Sequence, residues 1–454
     1  MKKAPACLCV CIAVLLSLCG CEKPEVTPRI NGVALSEYTI IYNSEDLDYS
    51  HRAAQYIQSE IESRLGISLP LHEDDEGSYP YEIIVGETAR PISAELQAPE
   101  HKSDFAILAN DHQVAIEGRY FTVAAAAYYF VDQYITDTPA EAQVPMQTTV
   151  HSPIVEEPNN VIFLIGDGMG PYQTKIFDYL EVPANATTDG EKFFYGYMLS
   201  ANAFARTNSY SGTTDSAAGG TALATGCKTY NGYVGQDQFH TERISLTEFA
   251  AELGKATAVM STDSQSGATP AAFSAHVDNR DDATGIFADQ LNLAKLFGTI
   301  YSCNLAGHNN KSLEKKIRDT LNKLDACENG FFLMYEEGHI DKFCHNQNVN
   351  NAFLALLRFN QAIGVFMEYA FYHPDTFVVI TADHETGSLT PDENGNLICT
   401  TNVHSGTDVP VMVHGYRSEC FTGVIENVQI PKTIAKMWGA EKFGLKSDTY
   451  PPLF

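Results

Sequence analysis

Short apolar segments alternate with longer helical patterns through the last two thirds of the chain. The clearest apolar segments span residues 161–165, 256–261, 331–335 and 376–381. Helical periodicity fills the intervals between them, most clearly at residues 246–253 and 351–369. Strands that are apolar on both faces and separated by helices are typical of a parallel sheet covered on both sides. The pattern predicts a doubly wound, mostly parallel α/β sheet for residues 155–454.

The first third of the chain has a smaller α/β pattern of its own. Apolar residues recur every four positions from Ala53 to Leu65, and Gly66 follows, which predicts a helix that ends there. Strand patterns lie at residues 38–42 and 81–85, a hairpin pattern at 105–108 and 113–116, and an apolar helix at 123–135. Residues 31–150 are therefore predicted to form a small α/β domain, with a tether at 22–30 before it and a polar linker at 151–160 after it.

The charge of the chain restricts its partners. Its 454 residues include 57 acidic and 29 basic ones, and the formal net charge is −28. Such a surface repels phosphate backbones, so no nucleic acid binding surface is expected. A site that handles phosphate must then supply its own positive charge, and bound metal ions are the natural source.

The N-terminus has the pattern of an export signal. Lys2 and Lys3 precede a short apolar segment at residues 6–18, and Leu18 to Cys21 resembles the cleavage site of a bacterial lipoprotein signal. Residues 1–21 are interpreted as a lipoprotein signal peptide with Cys21 as the lipidated residue. The prediction is an exported protein, anchored to a bacterial membrane on its periplasmic or cell-surface side. An ordinary signal peptide with an incidental cysteine is the alternative.

Ser216 lies in a run of very small residues. Asp215 precedes it, and two alanines and two glycines follow. This composition suits a nucleophile at a helix N-terminus, because small neighbours let an anion approach the backbone N–H groups. The alternative is a small-residue segment that packs a helix onto a sheet. Together with residues 224–232, the run resembles the active-site signature of the alkaline phosphatases.

Metal-ligand residues follow the predicted strands. The residues that lie at or beyond strand ends are Asp167, Glu336, Asp341, His345, Asp383, His384 and His404. Parallel strands bring their carboxyl ends to one edge of a sheet, where ligands gather. These residues form four clusters: one at Asp167, one from Glu336 to His345, one at Asp383 and His384, and one at His404. Any one cluster could be a hydrogen-bonded turn, but the four together match the alkaline phosphatases in order and spacing. The resemblance covers roughly residues 158–450.

The resemblance implies a role for each residue. It assigns a first zinc ion to Asp341, His345 and His404, and a second zinc ion to Asp167, Asp383 and His384. It assigns a magnesium ion to Asp167, Thr269 and Glu336. Ser216 is implied as the nucleophile, and Arg280 and Lys342 as the residues that contact phosphate, Lys342 through water. The implied reaction is hydrolysis of phosphate monoesters through a phosphoserine intermediate.

Other functions remain open at the level of the sequence. A phosphodiesterase or a sulfatase of the same fold is one alternative, although the sulfatase motif Cys-x-Pro-Ser-Arg is absent. A non-catalytic lipoprotein that binds glycans through residues 31–150 is another. The intact nucleophile and metal ligands argue against this last function.

Two departures from the family pattern change the expectations. Gly267 stands where family members carry an aspartate or histidine, so the magnesium site is predicted to be weak. Only 19 residues separate His384 from His404, so the inserts of many members are missing. A compact catalytic domain with an open site is expected.

Residues 31–150 resemble the non-catalytic α/β domain that precedes the catalytic module in some glycoside hydrolases. The resemblance is carried by the helix end at Leu65 to Ile67, the strand end at Ile84 to Gly86, and Gly118 with Arg119 before the last helix. It implies phosphorylated sugars or glycans as possible substrates. A domain that only spaces and solubilises the catalytic unit is the alternative.

Overall fold

A computed structural model describes residues 27–443, except 45–48, 97–104, 119–121, 137–140, 152–157, 177–201, 374, 416 and 441–442. The predicted signal peptide with Cys21, most of the tether and the middle of the predicted linker lie outside the described residues. No helix in the described ranges is long and apolar enough to cross a membrane.

The N-terminal part forms a six-stranded sheet in the order β4-β3-β5-β7-β6-β9 and a small sheet in the order β2-β1-β8. Its elements are β1 (Arg29–Ile30), β2 (Val33–Ala34), β3 (Thr39–Tyr42), α1 (Tyr49–Leu65), β4 (Leu71–Glu73), β5 (Glu82–Val85), α2 (Pro91–Leu96), β6 (Phe105–Ala109), β7 (Gln113–Gly118), α3 (Thr122–Tyr134), β8 (Glu141–Ala142) and β9 (Thr149–His151). The predicted strand, helix, strand, hairpin and helix all form. Ala53, Ile57 and Ile61 of α1 are fully buried, as the four-residue spacing requires.

The larger sheet has eight strands in the order β13-β12-β14-β10-β15-β20-β11-β21. Its part of the chain comprises β10 (Asn160–Gly166), α4 (Pro171–Thr174), β11 (Asn202–Arg206), α5 (Ser216–Thr225), α6 (Leu246–Glu252), β12 (Ala256–Ser261), α7 (Ala268–Ala272), α8 (Ala283–Phe297), β13 (Ile300–Ser302), α9 (Asn310–Leu324), β14 (Phe331–Glu337), α10 (His339–His345), α11 (Val349–Tyr372), β15 (Thr376–Thr381), β16 (Glu385–Thr386), β17 (Leu389–Pro391), β18 (Leu397–Cys399), β19 (His404–Ser405), β20 (Val409–His414), β21 (Gly423–Glu426) and α12 (Gln429–Met437).

Five neighbouring strands of this sheet are parallel: β13, β12, β14, β10 and β15. β20 runs antiparallel to β15 and to β11, so the sheet is mostly parallel, as predicted. Every residue of β10 is buried, which means that both faces of the sheet are covered. The predicted linker is shorter than expected, because His151 ends β9 and Asn160 begins β10. The Asn160 side chain accepts a hydrogen bond from Phe331 N–H (3.1 Å), which extends the pairing of β10 with β14.

The N-terminus of α6 holds the segment that leads to Arg280. Ser245 and Glu248 form a capping box at this helix end, and Ser245 Oγ donates to the carbonyl of Phe273 (3.1 Å). The Glu248 carboxylate also lies 3.4 Å from Nε2 of His276, whose side chain is 13% exposed. Burial alone would lower the pKa of His276, but Glu248 raises it to about 9.

The ion pair between His276 and Glu248 makes stability depend on pH. Because the pKa of His276 is raised on folding, its contribution is complete below the unfolded value of about 6.5 and is lost as pH rises through about 9. We expect Glu248→Gln to reduce the free energy of unfolding much more at pH 6 than at pH 10, as measured by denaturant unfolding. Glutamine still fits the capping box, so the cap contributes little to this difference.

Glu314→Gln is the matched control, because Glu314 pairs with Arg318, whose charge does not change over this pH range. A Glu248→Gln effect that is equal at both pH values would contradict the assignment of a charged His276.

Candidate functional site

Asp167 follows the central strand β10 and lies at the carboxyl edge of the large sheet. Its backbone N–H donates to the carbonyl of Glu337 (3.1 Å), so the strand pairing continues to this residue. Gly168 comes next with φ +72°, and a Cβ there would lie 3.0 Å from the Cα of Asp341. The glycine therefore permits both the turn and the close approach of α10.

Ser216 is the first residue of α5, as the sequence predicts. Asp215 caps the helix, because its Oδ1 accepts from Ala218 N–H (2.9 Å). Its Oδ2 accepts from Gly232 N–H (3.0 Å) and from Arg280 Nη1 (3.1 Å). One carboxylate thus fixes the position of the serine and the direction of the arginine.

The small residues after Ser216 serve packing. A Cβ on Gly219 would lie 2.7 Å from the carbonyl oxygen of Asp383, and a Cβ on Gly220 would lie 3.2 Å from the Cα of Thr269. All ten residues of α5 are buried. The packing interpretation of this run is therefore also correct, because the glycines let α5 pack closely against Asp383 and Thr269.

The first group of candidate metal ligands is Asp341, His345 and His404, whose ligand atoms lie within 4.8 Å of one another. α10 places Asp341 and His345 one turn apart, as predicted. Nδ1 of His345 contacts the carbonyl of Asn402 (2.7 Å), and Nδ1 of His404 contacts that of Thr214 (2.8 Å). A carbonyl only accepts, so both Nδ1 atoms carry the proton.

The tautomers of these histidines leave both Nε2 lone pairs directed at one point. The two Nε2 atoms are 3.0 Å apart, and they lie 3.3 and 3.5 Å from Asp341 Oδ1. Two neutral acceptors at this distance repel each other unless a cation lies between them. Histidine whose second nitrogen donates to a carbonyl is the usual arrangement of a metal ligand.

The second group is Asp167, Asp383 and His384, whose ligand atoms also lie within 4.8 Å of one another. Nε2 of His384 lies 3.5 Å from Asp167 Oδ1, 3.4 Å from Asp383 Oδ2 and 3.2 Å from Ser216 Oγ. Burial lowers the pKa of His384, which favours the neutral ring that a metal requires. The ring stacks on His404 with centroids 3.6 Å apart, so the two groups are adjacent.

Thr386 joins the two groups. Its hydroxyl donates to Asp341 Oδ1 (2.5 Å). The hydroxyl oxygen of Thr386 also lies 3.2 Å from Nδ1 of His384. Since the hydroxyl hydrogen is used by Asp341, Nδ1 of His384 is the donor in the second contact. Its Nε2 is therefore also an acceptor that faces the site.

Thr269 and Glu336, which with Asp167 are the predicted magnesium ligands, lie near Asp383 and Asp167 respectively. Thr269 Oγ1 donates to Asp383 Oδ2 (3.5 Å). Burial raises the pKa of Glu336 to about 8, and Asp383 and Asp263 add to the effect. Burial and the neighbouring Asp383 likewise raise the pKa of Asp167 well above its usual range. A bound cation would let these closely spaced buried carboxylates stay ionised.

Two basic side chains lie at the opening of the site. The Arg280 side chain is 35% exposed and Lys342 is 47% exposed, so solvent and a substrate can reach both. Lys342 Nζ forms an ion pair with Asp263 (2.5 Å). The structure thus brings together all eleven residues that the sequence nominates.

Three residues that contact the site were not nominated from the sequence: Asp215, Asp263 and Thr386. Asp215 could have been found, because an aspartate directly before a predicted helix is a capping signal. Thr386 and Asp263 carry no such signal, since their partners Asp341 and Lys342 are 45 and 79 positions away.

The fold and this edge of the sheet match a known family. The sequence model of the alkaline phosphatase family matches residues 158–295 and 298–402, more than half of the chain. The match includes every nominated site residue except His404, two positions beyond its end. The protein belongs to the alkaline phosphatase family and is a hydrolase of that superfamily.

Individual relatives are distant. Alkaline phosphatase 3 of Bacillus subtilis is 26% identical over 62% of this chain and 89% of its own length. Alkaline phosphatase 4 of the same organism is 30% identical over 56% and 68%. The solved alkaline phosphatase of the Antarctic bacterium TAB5 is 28% identical, with a TM-score of 0.55 over 62% of this chain and 98% of its own. A mutant of that enzyme was solved with magnesium in its M3 site, and it has a TM-score of 0.54.

The family match begins at residue 158 and does not address the N-terminal part. The resemblance of residues 31–150 to a domain of glycoside hydrolases stays a prediction.

Proposed function

We propose that this protein hydrolyses phosphate monoesters and that Ser216 forms a phosphoserine intermediate. The observation that carries the proposal is the position of Ser216 Oγ, 3.2 Å from His384 Nε2 and at the N-terminus of α5. A serine at this point faces a candidate metal site on one side and backbone N–H groups on the other. This is the environment that a nucleophile for a phosphoryl group needs.

The residues fit two zinc ions. His345 and His404 direct unprotonated nitrogens at one point, and His384 does so at the adjacent point. Asp167 Oδ1 is buried and accepts no hydrogen bond from the described residues, which leaves it available as a ligand. Imidazole and carboxylate ligands with an open position suit catalytic zinc. Bound there, zinc supplies the Lewis acidity that lowers the pKa of the serine hydroxyl and stabilises the leaving oxygen.

Asp167, Thr269 and Glu336 offer only oxygen ligands, which suit magnesium. The magnesium-bound relative makes the same kind of ion reasonable here. We therefore propose two zinc ions and one magnesium ion per chain as the cofactors.

The chain's own groups carry out the displacement. Ser216 Oγ loses its proton to solvent water and attacks phosphorus in line with the ester oxygen; the bond from phosphorus to that oxygen breaks, and the oxygen takes a proton from solvent water and leaves as the alcohol. Arg280 donates to the equatorial phosphate oxygens through the N–H groups that Asp215 does not use. The backbone N–H groups at the start of α5 also face the phosphate. Water then attacks the phosphoserine, releases inorganic phosphate and restores the serine.

Local positive charge also sets the substrate class. The chain carries a net charge of −28, yet Arg280 and Lys342 lie at the site opening. A terminal phosphate with two negative charges gains most from two cationic side chains and bound cations. Phosphate monoesters, including sugar and glycan phosphates, are the proposed substrates.

Replacing the nucleophile gives the direct test of the reaction. We expect Ser216→Ala to reduce kcat on an aryl phosphate by about 10³-fold or more, because the covalent step is lost. Rapid acid quenching followed by mass spectrometry should find phosphate on Ser216 in the native protein only. Ser59→Ala, an exposed serine of α1, is the control and should retain full kcat. Native-like turnover by Ser216→Ala would refute the assignment.

Metal analysis tests the two ligand groups separately. Elemental analysis after zinc reconstitution should give two zinc ions per native chain. His404→Ala should lower this value to about one, because the first group then retains two ligands. His112→Ala, a substitution in the N-terminal part, serves as the control and should leave both ions bound. A native value below two, or an unchanged value for His404→Ala, would argue against the assignment.

We also propose that the protein is exported and held at a membrane by lipid on Cys21. The support is the lipoprotein-like signal at residues 1–21. We expect Cys21→Ser to move the protein from the membrane fraction to the soluble fraction in a bacterial host, whereas the neighbouring change Cys19→Ser leaves it in the membrane. Immunoblots of the two fractions measure where each variant lies. If Cys21→Ser stays in the membrane fraction as the native protein does, the proposal of a lipid at Cys21 is refuted.

A further inference from the structure

Position 267 lacks a side chain at the edge of the predicted magnesium site. Gly267 precedes α7, the helix that carries Thr269, and no side chain caps this helix end. A Cβ placed on Gly267 would lie 3.4 Å from Oδ2 of Asp263. The space that a longer residue at 267 would enter is therefore bounded by the carboxylate of another residue, four positions earlier.

Asp263 is held firmly in the loop that follows β12. Its backbone N–H donates to Ser261 Oγ (2.9 Å), and its carbonyl accepts from Asn304 N–H (2.7 Å). Ser261 Oγ in turn donates to Oε2 of the buried Glu336. The loop is thereby fixed to a predicted magnesium ligand as well as to its own strand.

The Asp263 side chain lies between Glu336 and Lys342. A Cβ placed on Gly338 would lie 3.0 Å from Cβ of Asp263 and 3.5 Å from the carboxyl carbon of Glu336, so both residues approach one point. Asp263 Oδ1 forms the 2.5 Å ion pair with Lys342 Nζ. Its other oxygen, Oδ2, is the one that lies toward position 267.

Asp167, which the magnesium site shares with the second zinc group, shows that this region lacks positive charge, and its Oδ1 lies on the zinc side, 3.5 Å from His384 Nε2. The residue is 8% exposed, and its Oδ1 accepts no hydrogen bond within the described ranges. An ionised carboxylate oxygen that is buried without a donor is costly unless a cation binds it. Asp263 therefore lies beside a site that is short of positive charge.

We propose that Asp263 supplies the carboxylate that position 267 lacks. Its Oδ1 holds Lys342 toward the phosphate, and its Oδ2 accepts a hydrogen bond from a water on the cation held by Asp167, Thr269 and Glu336. Magnesium keeps several waters in protein sites, so a carboxylate one water away can still strengthen its binding. The site then binds magnesium well in spite of Gly267. The inference rests on the proposed function, and Asp263 is a positioning residue in it.

Magnesium binding tests the role of Asp263 without turnover. Calorimetric titration of magnesium into the zinc-loaded Ser216→Ala protein should give one strong site. In that background, Asp263→Asn should raise the magnesium Kd about 10- to 100-fold, the range typical of lost outer ligands. Adding Gly267→Asp to Asp263→Asn should restore much of the affinity, because the new side chain enters the same space.

Asp319→Asn is the matched control, since it also breaks an Asp–Lys ion pair, on the surface of α9. It should leave the magnesium Kd unchanged. Circular dichroism and zinc content should match between variants, and Asp263→Glu should give an intermediate Kd if Asp263→Asn folds poorly. The inference is overturned if Asp263→Asn and Asp263→Glu both bind magnesium within twofold of the parent, or if the parent binds none. If the native protein does not hydrolyse phosphate monoesters but the magnesium Kd still depends on Asp263, the proposed function alone is refuted.

Discussion

The concentration of buried carboxylates at the carboxyl edge of the large sheet is the constraint on which the site depends. Asp167, Glu336, Asp341 and Asp383 are all buried, and Nε2 of His384 lies within 3.5 Å of carboxylate oxygens of both Asp167 and Asp383. Such charges repel each other, and desolvation raises the pKa values of Asp167 and Glu336. Only bound cations balance this arrangement without protonating the groups, so folding and metal binding are physically coupled at this edge.

Together with three of these carboxylates, the histidines form two adjacent groups of candidate metal ligands. Each of the three rings has its Nδ1 proton directed to an oxygen, so every Nε2 is an acceptor that faces the site. Because His384 stacks on His404, the two ligand groups cannot move apart independently. The two ligand groups are therefore adjacent, which is what the proposed in-line displacement between two metals requires.

Asp215 connects Ser216 to Arg280, the residue that we propose contacts phosphate. A single side chain caps α5 and holds both Gly232 and Arg280. The glycines of α5 allow the helix to pack against Asp383 and Thr269 at backbone distance. The position of Ser216, the proposed nucleophile, is therefore set by helix packing, and the direction of Arg280 is set by the residue that caps the same helix.

Local sequence determined much of this protein. The apolar segments predicted four strands of each sheet to within two residues, and their alternation with helices predicted the mostly parallel architecture; the remaining strands of the two sheets were not predicted. The family-like motifs nominated eleven candidate site residues, and the strand pattern indicated that seven of the eight candidate metal ligands, all but Thr269, lie at or beyond strand ends. These features depend on neighbours along the chain, which is why they are visible without coordinates.

Tertiary structure alone decided how distant side chains complete the site. The sequence shows that Gly267 offers no ligand, but only the fold shows that Asp263 occupies the adjoining space and pairs with Lys342, 79 positions later. The proton positions on His345 and His404 likewise depend on carbonyls of Asn402 and Thr214, which belong to other loops. Such contacts are set by the packing of separate elements, and no local pattern encodes them.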